Sequence, residues 1–149
     1  MIRLKENEEK KEFLNKYLDA CKKVERIQSE IDEIKLLKMY PSSNTDGMPH
    51  GNDKGDLSDY IVKISEKEEK LEKFKNVKQI YFLEIMNQID LIENDTENAV
   101  LFYKYIKGMS WEEIADTLGY SVRQIYRYHG SGLLNLELPK MSVNVSKCQ

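Results

Sequence analysis

Apolar residues at Leu14, Tyr17, Cys21, Val24, Ile27, Ile31, Ile34 and Leu37 recur at steps of three and four, with mixed-sign charges between them and no Gly or Pro. That spacing is the period of an amphipathic helix, predicted over about 8–38. At a rise of 1.5 Å per residue, about 30 residues span about 45 Å. So narrow a stripe on so long a helix needs a partner helix. The same period resumes at Leu57 and runs through Tyr60, Ile61, Ile64, Leu71, Phe74, Val77, Tyr81, Ile85, Ile89 and Ile92. Asp56 or Ser58 is the expected cap of this second helix. Residues 40–56 hold two of the three prolines and three of the seven glycines, the composition of a loop. Two matched amphipathic helices joined by one loop read as an antiparallel hairpin or as part of an oligomeric bundle. Their equal length favours a long antiparallel hairpin, a coiled coil, over 1–94.

The pattern shortens at Asn94. Asn94-Asp95-Thr96 before Glu97 is a helix-start signal. Ala99, Val100, Phe102, Tyr103 and Ile106 are expected on the inward side of this helix, and Gly108 stops it. Ser110 and Glu113 have the spacing of a capping box, opening a two-turn helix whose buried face is Ile114, Ala115 and Leu118. Gly119 sits where a tight turn needs positive φ. Ser121 and Gln124 then repeat the box spacing, and a last helix follows from Val122 to His129, onward through Gly130, Ser131 and Gly132 to Leu133, Leu134 and Leu136. A short helix, a Gly turn and a capped helix are the order of a helix-turn-helix, here 95–138, followed by a tail at 139–149. The expected fold class is all-α.

The residue types of the last helix suit DNA reading. A recognition helix enters the major groove with its N-terminal part against the base edges. Arg123 and Arg127, four apart, share one face and can reach guanine or phosphate, while Gln124 can pair bidentately with adenine. Tyr126 can touch a phosphate or a thymine methyl. Backbone donors at Ser110 and Ser121 are natural phosphate contacts. Trp111 and Val122, the first residues after each cap, complete the candidate set, although Trp111 also reads as a packing residue at a helix start. Ile125 is expected to point the other way, beside Ile114 and Leu118. Tyr128 fits either core or surface. His129 reads as a packing or groove-edge residue rather than a metal ligand.

Composition narrows the alternatives. The 149 residues carry 33% charged side chains, a mean hydropathy of -0.63 and a net charge of -3. Roughly 25% charged is usual for a globular domain, so surface-rich helices are expected. No apolar run reaches the length of a membrane span, and the N-terminus lacks the apolar stretch of a secretory signal. Cys21 and Cys148 make no disulfide framework, and His50 and His129 have no ligand partners at zinc-site spacing. No metal or cofactor is expected, and no enzyme. Asp46, Asp53 and Asp56 can chelate a cation only weakly, since their spacing fits no EF-hand. A cytoplasmic protein without a membrane partner is the default. Residues 1–95 hold 17 Lys+Arg against 21 Asp+Glu, and 96–149 hold 6 against 5, so the total charge is an acidic arm near -4 plus a terminal module near +1. A module so weakly basic predicts weak nonspecific affinity, and useful binding through a dimer or a polymerase partner.

The run V-L-F-Y-K-Y-I-K-G-M-S-W-E-E-I-A-D-T-L-G-Y-S-V-R-Q-I-Y-R-Y-H resembles region 4 of sigma factors. More closely, the chain is similar to small phage-encoded proteins of Gram-positive bacteria with a long helical N-terminal part and a sigma-like helix-turn-helix, the ArpU-type late transcription regulators being the nearest named. Gly119 to Gly130 is the most specific stretch. The resemblance covers about 40 residues well and the helical arm only by shape. It implies that Arg123, Gln124 and Arg127 face DNA, that Val100, Ile114, Ala115, Leu118, Ile125 and Leu133 hold the fold, and that a polymerase contact is conceivable. Two departures stand out. Lys104 replaces the usual Arg, and Gly130 and Gly132 each weaken the last helix by about 1 kcal/mol relative to Ala. Without a sigma region 2, the chain is not expected to melt a promoter by itself.

The expected function is therefore a sequence-specific transcription regulator of phage or prophage genes. Its partners would be double-stranded DNA, a second copy of itself and conceivably RNA polymerase. The competing reading is a coiled-coil interaction module that binds a polymerase or phage protein without touching DNA.

Overall fold

The computed structural model describes residues 2–39 and 53–140, and the interior of the predicted loop (40–52), with its His50 and Asp46, and most of the predicted tail (141–149), with Cys148, lie outside them. Five helices make up the described chain: α1 (Ile2–Met39), α2 (Asp53–Asp90), α3 (Asp95–Tyr105), α4 (Trp111–Leu118) and α5 (Val122–Asn135). There is no strand among the described residues.

Two predicted boundaries shift. Helix α1 starts at Ile2, six residues before the expected position 8. The first turns lack an apolar period but are rich in helix-forming Leu, Lys and Glu, and Glu6 and Lys10 pair at 3.1 Å one turn apart. Helix α2 starts at Asp53, so positions 53–56 are helical rather than loop, and neither Asp56 nor Ser58 is its cap. One glycine at 55 costs about 1 kcal/mol in a helix interior, too little to delay a helix of 38 residues.

The chain forms two compact units, 20–78 and 1–19 with 79–149. In the first, Ile27, Ile31 and Leu71 are buried, with Val24 and Phe74 packed on them. Partners on α2 fall in number as those on α1 rise, from Lys23 over the Phe74 ring at 5.8 Å to Glu30 with Lys67 at 2.8 Å. Hydrogen bonds from Lys67 and Arg26 hold the Glu30 carboxyl below the usual range.

The second unit has two cores. In one, Phe13 and Leu14 of α1 and Ile85 and Ile89 of α2 enclose Leu101, Tyr105 and Leu133. In the other, Val100 meets Ile114, Ala115 and Ile125. The unit boundary thus falls inside both long helices, where the sequence suggested a division near 94. The three short helices bury the second core among themselves and draw on the ends of α1 and α2 for the first.

Lys10 serves the same join. It is 5% exposed, and its Nζ donates to the Leu133 carbonyl at 2.9 Å. That carbonyl lies in the last turn of α5, where no intrahelical donor follows.

Helix α3 packs on more than one side. Glu97, Val100, Leu101 and Tyr105 are its buried residues, while Ala99, Phe102 and Tyr103 from the predicted inward stripe are only partly covered. One stripe was expected, but Val100 serves one core and Leu101 and Tyr105 the other.

Candidate nucleic-acid interface

Each short helix is started by its own sequence. Asn94 caps α3, its Oδ1 accepting from the amides of Thr96 and Glu97 at 3.0 Å each. Ser110 and Glu113 close a reciprocal box on α4, with the Glu113 amide donating to Ser110 Oγ at 3.2 Å and the Ser110 amide to Glu113 Oε2 at 2.8 Å. Ser121 and Gln124 do the same on α5, at 3.2 and 3.0 Å. Each box satisfies two donors that the first turn leaves orphaned. Gly108 and Gly119 carry the turns before and after α4 at φ of 67° and 75°, a left-handed backbone that side chains resist.

Helix α5 therefore has two unlike faces. Ile125 is fully buried against Val100, Ile114 and Ala115, with Leu118 alongside. Ser121, Arg123, Gln124, Tyr126 and Arg127 are exposed, and no acid lies between Ser121 and Leu136. Five of the eight candidate residues thus share one end of one helix. Ser110 is exposed at the start of α4, where the first turn also carries Glu112 and Glu113.

Val122 and Trp111 are placed differently. Val122 packs on the core around Ile125, and Trp111 is part of an aromatic stack. The Lys104 ammonium sits 4.2 Å from the Trp111 ring centre, with Tyr126 at 4.9 Å and the His129 ring edge-on at 4.8 Å. A cation over an indole face is held by the ring quadrupole. Lys104, the departure from the sigma pattern, is thereby joined to α4.

Gln124 has a divided role. Its Oε1 accepts from the Ser121 amide and lies 3.2 Å from Ser121 Oγ. Bidentate pairing with adenine uses both ends of the amide. With its box closed, Gln124 offers only its NH2 end.

Three relationships behind this face have no local sequence signal. Tyr105 and His129 are joined at 2.7 Å, and burial, with Lys11 and Lys104 nearby, pushes the imidazole down to about 4. Burial and Glu8 push the Tyr105 phenol up to about 12. At neutral pH the phenol is therefore protonated and the imidazole neutral. Glu97, 6% exposed, accepts from Ser131 Oγ at 2.5 Å and Asn135 Nδ2 at 2.7 Å. Arg127 and Gln124 rim a cleft of about 300 Å³ that this carboxylate also lines. These partners are 24 to 38 residues apart, beyond the reach of any periodic pattern.

No group of three potential metal ligands occurs among the described residues, and no helix there is long and apolar enough to cross a membrane. The molecule is an all-α protein with a polar, arginine-bearing helix face on a compact base. Residues 38–137 match the family described as Protein of unknown function (DUF1492), and the chain belongs to that family. No curated protein and no solved structure matches it.

Proposed function

We propose that this chain is a sequence-specific DNA-binding regulator of transcription. In this reading 95–138 is a helix-turn-helix of the sigma region 4 kind, α5 is its recognition helix, and α1 and α2 form an antiparallel hairpin. One observation carries it: α4 and α5 both open on closed capping boxes about a left-handed Gly119, and α5 buries Ile125 while exposing Arg123, Tyr126 and Arg127.

The boxes fix both helix starts but occupy the amides of Ser110 and Ser121 themselves, so phosphate contact falls to the first-turn amides that follow them. Arg123 and Arg127, one turn apart, then reach base edges or backbone from the same face. Trp111 and Val122 support that face from beneath, and Tyr126 lies on the Trp111 ring at its edge. The chain has no catalytic role. A module near +1 attracts DNA weakly, which favours a homo-oligomer or a polymerase contact for tight binding. The assignment to phage or prophage genes, in the cytoplasm, follows the resemblance to ArpU-type regulators.

Selection of bound duplexes from random DNA by the full chain tests this reading directly. A shared motif with salt-sensitive affinity is expected. Recovery of no motif at any salt concentration would remove the assignment.

A further inference from the structure

A second surface has the opposite character. From Gln79 to Tyr103 there are five acids, Glu84, Asp90, Glu93, Asp95 and Glu97, and no Lys or Arg. Along the end of α2 and in the turn residue that follows it, Ile80, Leu83 and Leu91 are 54%, 59% and 66% exposed. With exposed Asn87 they fall at steps of three, four and four, a stripe along one face of α2 that Leu91 continues into the turn. At 100° per residue Glu84 borders the stripe on one side and Asp90 on the other. The buried seam of α2 uses other positions, Ile85 and Ile89. A solvated helix face does not need three large aliphatic residues in register.

At its C-terminal end the stripe meets a cleft of about 390 Å³ lined by Leu91, Ile92, Glu93, Asn94, Glu97 and Asn135. Both hydrogen-bond donors to the Glu97 carboxylate there, Ser131 and Asn135, are neutral. Among the described residues none of the five acids is in an ion pair. An apolar stripe between carboxylates, ending in an acidic cleft, repels phosphate and selects a positively charged partner.

We propose that this face of α2 docks a basic amphipathic helix of another protein. The partner's aliphatic stripe would cover Ile80, Leu83 and Leu91, its flanking Lys and Arg would face Glu84 and Asp90, and one cation would enter the cleft towards Glu97. Helix-in-groove recognition of this kind uses anchors at the same three-four spacing. The proposal is independent of DNA binding.

The test uses the full chain and two synthetic peptides, a Lys/Arg-rich helix with one leucine stripe and a peptide of the same composition with the stripe scrambled. Fluorescence anisotropy should show the striped peptide binding at least about tenfold tighter, a difference of about 1.4 kcal/mol. Leu83→Ser with Leu91→Ser should abolish that preference, and Glu84→Lys with Asp90→Lys should weaken binding by about tenfold or more. Arg123→Ala should change nothing. All four of these side chains are exposed, so these variants keep the helical circular dichroism of the parent. Equal binding of both peptides, or stripe variants that bind as the parent does, would overturn the proposal. So would a parent dimer in sedimentation that Leu83→Ser with Leu91→Ser turns into a monomer, because a second copy would then occupy the stripe.

Discussion

Tyr105 Oη on α3 and His129 Nε2 on α5 share a hydrogen bond of 2.7 Å, and the two rings stack at 5.7 Å. This hydrogen bond lies behind the exposed α5 face and ties its orientation to the core. Partial burial keeps the imidazole neutral, with a consequence for stability.

The native His129 titrates near 4, whereas an unfolded histidine titrates near 6.5. As pH falls below 6.5 the unfolded chain takes up a proton that the native state refuses, so stability is lost until about pH 4. The slope approaches 1.4 kcal/mol per pH unit, and solvent on the partly exposed ring reduces the total to about 2 kcal/mol. Urea melts across this window should be steeper in pH for the parent than for His129→Gln. Parallel curves would refute this origin.

Two glycines of α5 should respond oppositely. A Cβ at Gly130 meets nothing within 4 Å, and Gly130→Ala should stabilise by about 0.5–1 kcal/mol. A Cβ at Gly132 lies 3.3 Å from Leu101 Cδ1 and 3.5 Å from Glu97 Cβ. Gly132→Val presses α5 off α3 and should cost about 1–3 kcal/mol in thermal or chemical unfolding.

Lys10→Met keeps the aliphatic stem but leaves the Leu133 carbonyl without its donor. A buried acceptor left unsatisfied costs about 1–3 kcal/mol. The loss should appear in unfolding free energy, with hydrogen exchange quickened at the end of α5 first. Exchange unchanged there would mean that this bond holds little.

Arg123→Ala with Arg127→Ala leaves the Ile125 side untouched, so folding should be unaffected. Affinity for a selected duplex should drop, and the salt slope should flatten by about 0.9 for each phosphate that is no longer neutralised. An unchanged slope in gel shifts would assign both arginines to something other than DNA.

Ser121→Ala removes one half of the α5 box and should cost about 1 kcal/mol. Gln124 Oε1 keeps its bond from the backbone amide of position 121, which the substitution leaves in place, so base preference in repeated selections should not change. Stability equal to the parent would show that the box contributes nothing.

Local chemistry fixed what lies within a turn or two of itself. Asn94, Ser110 and Ser121 as caps, Gly108 and Gly119 as left-handed turns, and Ile125 turned inward all follow from spacings of three and four. Such spacings say which face of a helix is apolar, and nothing about which neighbour covers it. Tertiary packing alone decided that Leu101 and Tyr105 are buried, because α3 meets both cores of its unit. It alone brought Lys10 to Leu133, 123 residues away, and Lys104 over Trp111. The period along α2 already set Ile85 and Ile89 on the seam and Ile80, Leu83 and Leu91 off it, and the structure buries the first two and leaves the other three in solvent. The aliphatic character and register of all five are legible in the chain, but what covers the seam depends on which other helices reach α2.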